Sequence, residues 1–461
     1  MTNQEPRRAR ILAFALLWAL AATPAVRAQD EAPVDPPEAA LSADPVRNQE
    51  ILRLAQILRL SRRADSPIRS ELVRGLVANG GRSIEALLDL LESGRVPKVA
   101  PDDGRQVLSE AQRELVLAAL GELDPLLVRA AGEQRLSYAE TTAVYRTAVW
   151  ALCAGGNDEV LERFLRRSST RGDQPELPHV DWRRGFQLLF TRTPGAFAIA
   201  ERFWREGLSE QQRALVEACG ELRDPACLAF LASVLEFDRG DLATLAVGQI
   251  VRVGRSYDPA LDERLGAAIR PRLDLTRPNA CQAALQALGE LRDRTTLALA
   301  TDLLHEEDAG IRQSALWMLR RASGLELDGK PATWKRWLDD QERTFATAEK
   351  RILPNLASKE LARVVEGLRD LSALRIERAQ IARWIEPVLK RSEPGLRVQA
   401  CHALLELDER SSVGMLQPLL EDRDARVVAA ARTALTKLTG RDVAAAEGTA
   451  VAKVGSTKSR G

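Results

Sequence analysis

From Val46 onward, apolar residues recur at intervals of three and four, as in "ILRLAQILRL" and "IEALLDLLES", which is the spacing of one face of an α-helix. The pattern continues to about Leu438, and no alternating run marks a strand. A nine-residue frame returns along the chain: apolar, Arg, two free positions, Ala, two free positions, Ala, Leu. It reads "IRQSALWML" from Ile311 and "LRVQACHAL" from Leu396, with looser copies ending at Leu76, Leu120, Leu288 and Leu435. Its first, fifth, eighth and ninth positions share one helical stripe. Ala there admits a neighbouring helix closely, and Leu or Ile supplies the larger burial.

A short phrase follows several copies: "GELDP" at Gly121, "GELRDP" at Gly220 and "GELRDR" at Gly289. Gly220 suits a helix end, Asp224 an N-cap and Pro225 the first turn of the next helix. Frame and phrase together predict helical hairpins starting near Gln211, Leu242, Ala280, Ile311, Glu360 and Leu396, with a last helix near Val427. Such a repeat predicts an all-α solenoid. Its expected extent is a degenerate stretch over 46–207 followed by regular hairpins over 208–440.

The frame residues resemble HEAT repeats, especially the HEAT-like type grouped with phycobilisome lyases. "DAGIRQSALWML", "PGLRVQACHALLEL" and "RDARVVAAARTAL" carry that resemblance. It implies a ladder in which Arg312 and Arg397 meet an Asp of a neighbouring repeat, interrupted where Cys281 and Val428 replace the Arg. The insertion over 324–345, "GLELDGKPATWKRWLDDQERTF", resembles a segment that follows a repeat in exported HEAT-repeat proteins of planctomycete-like bacteria. Within it Thr333 is the expected N-cap. Trp334, Trp337 and Leu338 share a face, either as a core-packing edge or as an aromatic binding patch.

Before Val46 the pattern differs. Arg7, Arg8 and Arg10 precede the apolar run "ILAFALLWALAA", and Val26 and Ala28 stand where a signal peptidase reads small residues. This predicts a signal peptide over 1–28, cleavage after Ala28, and export to the periplasm or medium. The apolar run is shorter than the roughly 20 residues that span a bilayer, so no stable membrane insertion is expected after cleavage. Residues 29–45 form a Pro-rich, acidic linker and 441–461 a polar tail, both expected to be disordered.

Composition adds exclusions. Apolar residues at 45% and charged residues at 28% describe a soluble folded chain, and aromatics at 4% leave Ala and Leu to fill the core. Loss of the signal removes four Arg and one Glu, taking the formal charge from +1 to −2. With Arg and Glu alternating along the helices, no basic face for nucleic acid is predicted. The five Cys lack CxxC spacing; they read as small buried side chains, with Cys219–Cys227 the most plausible bridge otherwise.

The three His, His179, His305 and His402, stand far apart without a metal or nucleophile motif. The pair His305-Glu306 resembles one element of the HEAT-repeat iron hydroxylases, yet a single pair cannot build their site. His305 is expected at a helix end. The pairs Asp102-Asp103, Glu306-Glu307 and Asp339-Asp340 are expected at turns or helix ends, in solvated or capping roles. No catalytic, cofactor or metal residues are assigned.

The function expected from this reading is a non-catalytic protein-interaction scaffold of the cell envelope. A spacer or assembly subunit is the alternative, and a bilin lyase-like enzyme a remote one. Arg312, Trp334, Trp337 and Arg397 are the candidate contacts for a protein partner.

Overall fold

The computed structural model describes residues 44–61, 69–98, 106–167, 176–193, 195–238 and 240–440. The expected signal peptide, nearly all of the linker, the tail and the pair Asp102-Asp103 lie outside those residues.

Twenty-three α-helices occupy the described residues. The first part comprises α1 (Pro45–Leu60), α2 (Arg69–Val77), α3 (Arg82–Ser93), α4 (Glu110–Glu122), α5 (Pro125–Ser137), α6 (Thr142–Ala154), α7 (Asp158–Arg167), α8 (His179–Arg192) and α9 (Ala196–Phe203). The middle follows with α10 (Ser209–Leu222), α11 (Leu228–Phe237), α12 (Asp241–Val253), α13 (Pro259–Ile269), α14 (Pro278–Leu291), α15 (Leu297–Asp302), α16 (Ala309–Ser323) and α17 (Pro331–Arg351). The last part is α18 (Leu353–Leu356), α19 (Leu361–Ser372), α20 (Arg378–Leu389), α21 (Pro394–Leu407), α22 (Val413–Leu416) and α23 (Ala425–Thr439). One two-residue ladder, β1 (Arg95–Val96) against antiparallel β2 (Gln106–Val107), was not anticipated by the hydrophobic pattern, which is too short there to alternate.

Helices pack on the next but one in sequence, which makes two rows. The first row runs α8, α10, α12, α14 and α16, and beside it α9, α11 and α13 pack in turn. The last part repeats the arrangement with α19, α21 and α23. This is an all-α solenoid of stacked helical hairpins, and each inferred hairpin start falls within three residues of an observed helix start.

Local chemistry sets the helix ends. Asp124, Asp224, Asp258, Asp308 and Asp424 each accept a backbone N–H at a helix start, and Pro125, Pro225, Pro259, Pro278, Pro331 and Pro394 stand in first turns. The role expected of Gly220 is different in the structure. The helix runs two residues further, and Arg223 takes the left-handed end position at φ 52°, as Arg292 does at φ 55°. Gly220 serves close approach instead. A Cβ at Gly220 would fall 1.7 Å from Gln249 Oε1, and one at Gly289 would fall 2.7 Å from the Trp317 ring and 3.0 Å from the Met318 backbone.

The apolar residues form three clusters joined by shared helices. α6 contributes Trp150 to the first and Val149 to the second. α17 joins the second to the third: Trp334 and Leu338 lie in one, Ala348 in the other, and Phe345 stacks on Trp384 at 5.2 Å. All five Cys are buried as free thiols, with Cys227 Sγ 4.0 Å from the Cys219 carbonyl.

Candidate interaction surface

Burial of the apolar stripe leaves the opposite face of α8, α10 and α16 mainly to polar side chains, whereas that of α12 also carries Leu245, Gly248 and Val251. On α10, for example, Ala214, Leu215, Ala218 and Cys219 are buried, whereas Arg213 and Glu221 are exposed. Neighbouring helices exchange charges across this face. Arg183 of α8 meets Glu221 of α10 at 2.8 Å, His179 Nδ1 lies 3.3 Å from Glu210, and Arg321 of α16 meets Glu290 of α14 at 2.7 Å. Exposed pairs of this kind contribute about 0–1 kcal/mol each. They set the charge pattern of the face, while the apolar stripe holds the stack.

Where α4 and α6 adjoin α8, the charges go deeper. Arg184 is buried, pairs with Glu110, lies 3.4 Å from Glu114, and faces the Trp150 ring at 5.8 Å. Arg146 stands over the same ring at 5.3 Å, and the Trp150 indole N–H donates to the Asp181 carbonyl at 2.8 Å. Burial pushes the Glu114 and Asp181 carboxyls up and the Arg184 guanidinium down.

The four contacts expected from sequence are not brought together. Trp334 is fully buried, donates its indole N–H to the Asp328 carbonyl at 2.7 Å, and meets Trp337 edge-to-face at 5.7 Å. Thr333 is not the N-cap: α17 begins at Pro331 behind Lys330, because Pro at the first turn sets the start. Asp339-Asp340 lies exposed within that helix, away from its ends. Arg312 donates to the Glu306 and Glu307 carbonyls at 2.6 and 2.7 Å, within its own turn. Arg397 pairs with both Asp422 oxygens at 2.8 Å, a rung from α21 to the following hairpin. His305 closes the 3-10 turn Leu303–His305 and is exposed.

Trp317, which the sequence reading passed over, remains 37% exposed on α16 between Gln313 and Arg321. A signal was present: it fills the seventh frame position, where Arg74, Gln286, His402 and Thr433 stand in other copies. An aromatic residue there faces outward by register.

At the C-terminal ends of the first-row helices, the chain returns on itself. Arg255 and Arg292 donate to the Asp408 carbonyl at 2.7 and 2.8 Å, Arg292 also meets the Asp408 carboxylate, and Arg255 lies 3.3 Å from Glu409. Arg378, itself buried, donates to the carbonyls of Ala322, Ser323, Arg375 and Leu407. Burial, helped by the neighbouring Arg255 charge, brings the Arg292 guanidinium down to about 10. Burial opposes ionisation of Asp408, but the charges of Arg292 and Arg255 outweigh it and hold that carboxyl low.

Among the described residues, no group of three or more His, Cys, Asp and Glu is placed to hold a metal ion, and no helix is long and apolar enough to cross a membrane. An open depression of about 520 Å³ beside Leu361, Val365 and Arg369 lies along α19 alone.

No family model matches the chain, and no curated protein does. Solved structures do. An engineered protein matches at 17% identity, covering 86% of this chain and 96% of its own, with a TM-score of 0.26. Human deoxyhypusine hydroxylase in complex with glycerol matches at 16% identity over 62% of this chain and 96% of its own, with a TM-score of 0.22. The SYS-1 structure matches at 11% identity over 85% and 80%, with a TM-score of 0.27. The hairpin stack described above defines the class: an all-α helical-repeat protein.

Proposed function

We propose that this chain is a non-catalytic protein-interaction scaffold that holds a protein partner on the exposed face of the first row. The observation that carries the reading is the outward face of the first row, where α8, α10 and α16 present paired Arg and Glu, α12 and α14 present mostly uncharged residues, and Trp317 stands exposed among them. Stacked repeats present such a face without any convergent catalytic group, and an aromatic side chain amid polar ones is the kind of residue that anchors protein interfaces. The repeats are HEAT-like in this reading, supported by the Arg397–Asp422 rung. Export to the envelope is supported by the basic and apolar residues of the leader.

The test is in-cell cross-linking of the tagged chain in its source cells, with mass spectrometry against an unrelated exported control. One enriched protein in near-equal amount, lost in Trp317→Ala, is the expected result. Recovery of the chain with copies of itself alone would favour a spacer or assembly subunit. Sequencing the N-terminus of the purified mature protein checks export separately: it should begin at Gln29.

A further inference from the structure

The edge that receives Asp408 extends beyond it. α8, α10 and α12 run parallel, since Gln187 of α8 reaches Glu221 of α10 and Gly220 of α10 abuts Gln249 of α12, so their C-terminal ends line one side of the row. Each end carries an arginine: Arg192 in the last turn of α8, Arg223 at the end of α10 and Arg252 in the last turn of α12. Arg223 and Arg252 are exposed and Arg192 is half-buried, and none of the three guanidinium groups has a hydrogen bond or ion pair to a described residue. The carboxylates that flank Arg223 in sequence have partners of their own, Glu221 with Arg183 and Asp224 with the N–H of Ala226.

A repeat-equivalent residue shows what such an arginine does when occupied. Arg223 (φ 52°, ψ 31°) and Arg292 (φ 55°, ψ 42°) hold the same place in "GELRD" and nearly the same backbone conformation. Arg292 is filled by the carboxylate and carbonyl of the Asp408 turn, with Arg255 beside it. Arg223 is the unfilled copy.

We infer that Arg192, Arg223 and Arg252 form a docking edge for an acidic protein segment, which presents carboxylates in trans as Asp408 does within the chain. This rests on the scaffold reading and names the chemistry of its partner. Guanidinium groups at helix C-termini are held by the helix dipole, and they pair with carboxylates through two parallel N–H donors. The inference therefore requires binding that weakens steeply with salt.

The experiment uses the full mature chain and two fluorescein-labelled peptides, one of alternating Asp and Glu and one of alternating Asn and Gln. Anisotropy at low salt should show binding of the acidic peptide alone. The variant R192E/R223E/R252E should weaken it at least about tenfold, the sum expected for two exposed pairs and one half-buried one. Its melting temperature should be lowered modestly by the acidic charges at three helix C-termini, with far-UV circular dichroism unchanged. Arg363→Glu, exposed on α19 outside the first row, should stay within about twofold. Equal affinity for both peptides, or an acidic affinity unchanged in the triple variant, overturns the inference.

Cross-linking separates it from the scaffold reading. A cellular partner recovered equally by wild type and triple variant sinks the acidic edge and leaves the scaffold standing. Acidic-peptide binding lost in the triple variant, with no partner recovered by wild type, upholds the edge and counts against the scaffold.

Discussion

Glycine and tryptophan show how single residues act in this stack. Gly289 and Gly248 both lie within first-row helices, yet a Cβ at Gly289 meets Trp317 and the Met318 backbone while one at Gly248 meets nothing within 4 Å. Gly289→Ala should destabilise by about 1–3 kcal/mol, because the backbone of α16 cannot yield easily. Gly248→Ala should stabilise by up to about 1 kcal/mol through helix propensity. Urea denaturation of both variants checks the opposite signs. The tryptophans separate in degree: Trp334→Ala should cost about 3–5 kcal/mol, and Trp317→Ala, whose ring is partly covered by the Gly289 turn of α14, about 1–3 kcal/mol while weakening partner binding. The frame made these helices readable, but the phrase that follows it pointed to Gly220 as the helix end. Arg223 occupies that position because the left-handed turn costs a non-glycine residue only about 1–2 kcal/mol, whereas the packed position beside Gln249 has no room for a side chain.

Among elements, α1 and α3 are tied by one carboxylate. Glu50 of α1 accepts from Arg53, Asn79 and Ser83, and although burial opposes its ionisation, these bonds hold it down at about 2. A folded-state value below the unfolded one stabilises above the unfolded range, and that contribution is lost as pH falls from about 4.5 to about 2. Glu50→Gln should cost about 1–3 kcal/mol at neutral pH, and the variant should lose less stability than wild type across that window. Melting temperature followed from pH 7 to the acid limb reads both effects. Helix starts were legible from Asp and Pro, since a cap needs only neighbours in sequence. Thr333 misled because Pro331 offered a competing start two residues earlier. The β1–β2 ladder left no trace because two residues on each side are too few to alternate.

Across the folded unit from Pro45, the Asp408 turn fastens the last hairpins to the ends of α12 and α14. Asp408 sits at φ 51°, a conformation asparagine also tolerates, so Asp408→Asn removes the charge and little else. The side chain is half exposed, so the expected loss is about 1–3 kcal/mol, less than for a fully buried pair. Hydrogen exchange should then rise first over α21 to α23, with α8 to α14 still protected. Uniform exchange across the unit would show that the turn is not a separate fastening.

Periodicity, caps and the recurring frame were enough to establish helices, hairpins and their stacking, because each depends on residues a few positions apart. The partners of the arginines were not. Arg255 and Arg292 look like the other end-of-helix arginines in the chain, and their engagement with a turn more than a hundred residues later follows only from how the hairpins stack. Burial likewise separated Trp334 from Trp317, since helical register states which face a side chain occupies and tertiary packing decides whether another helix covers that face.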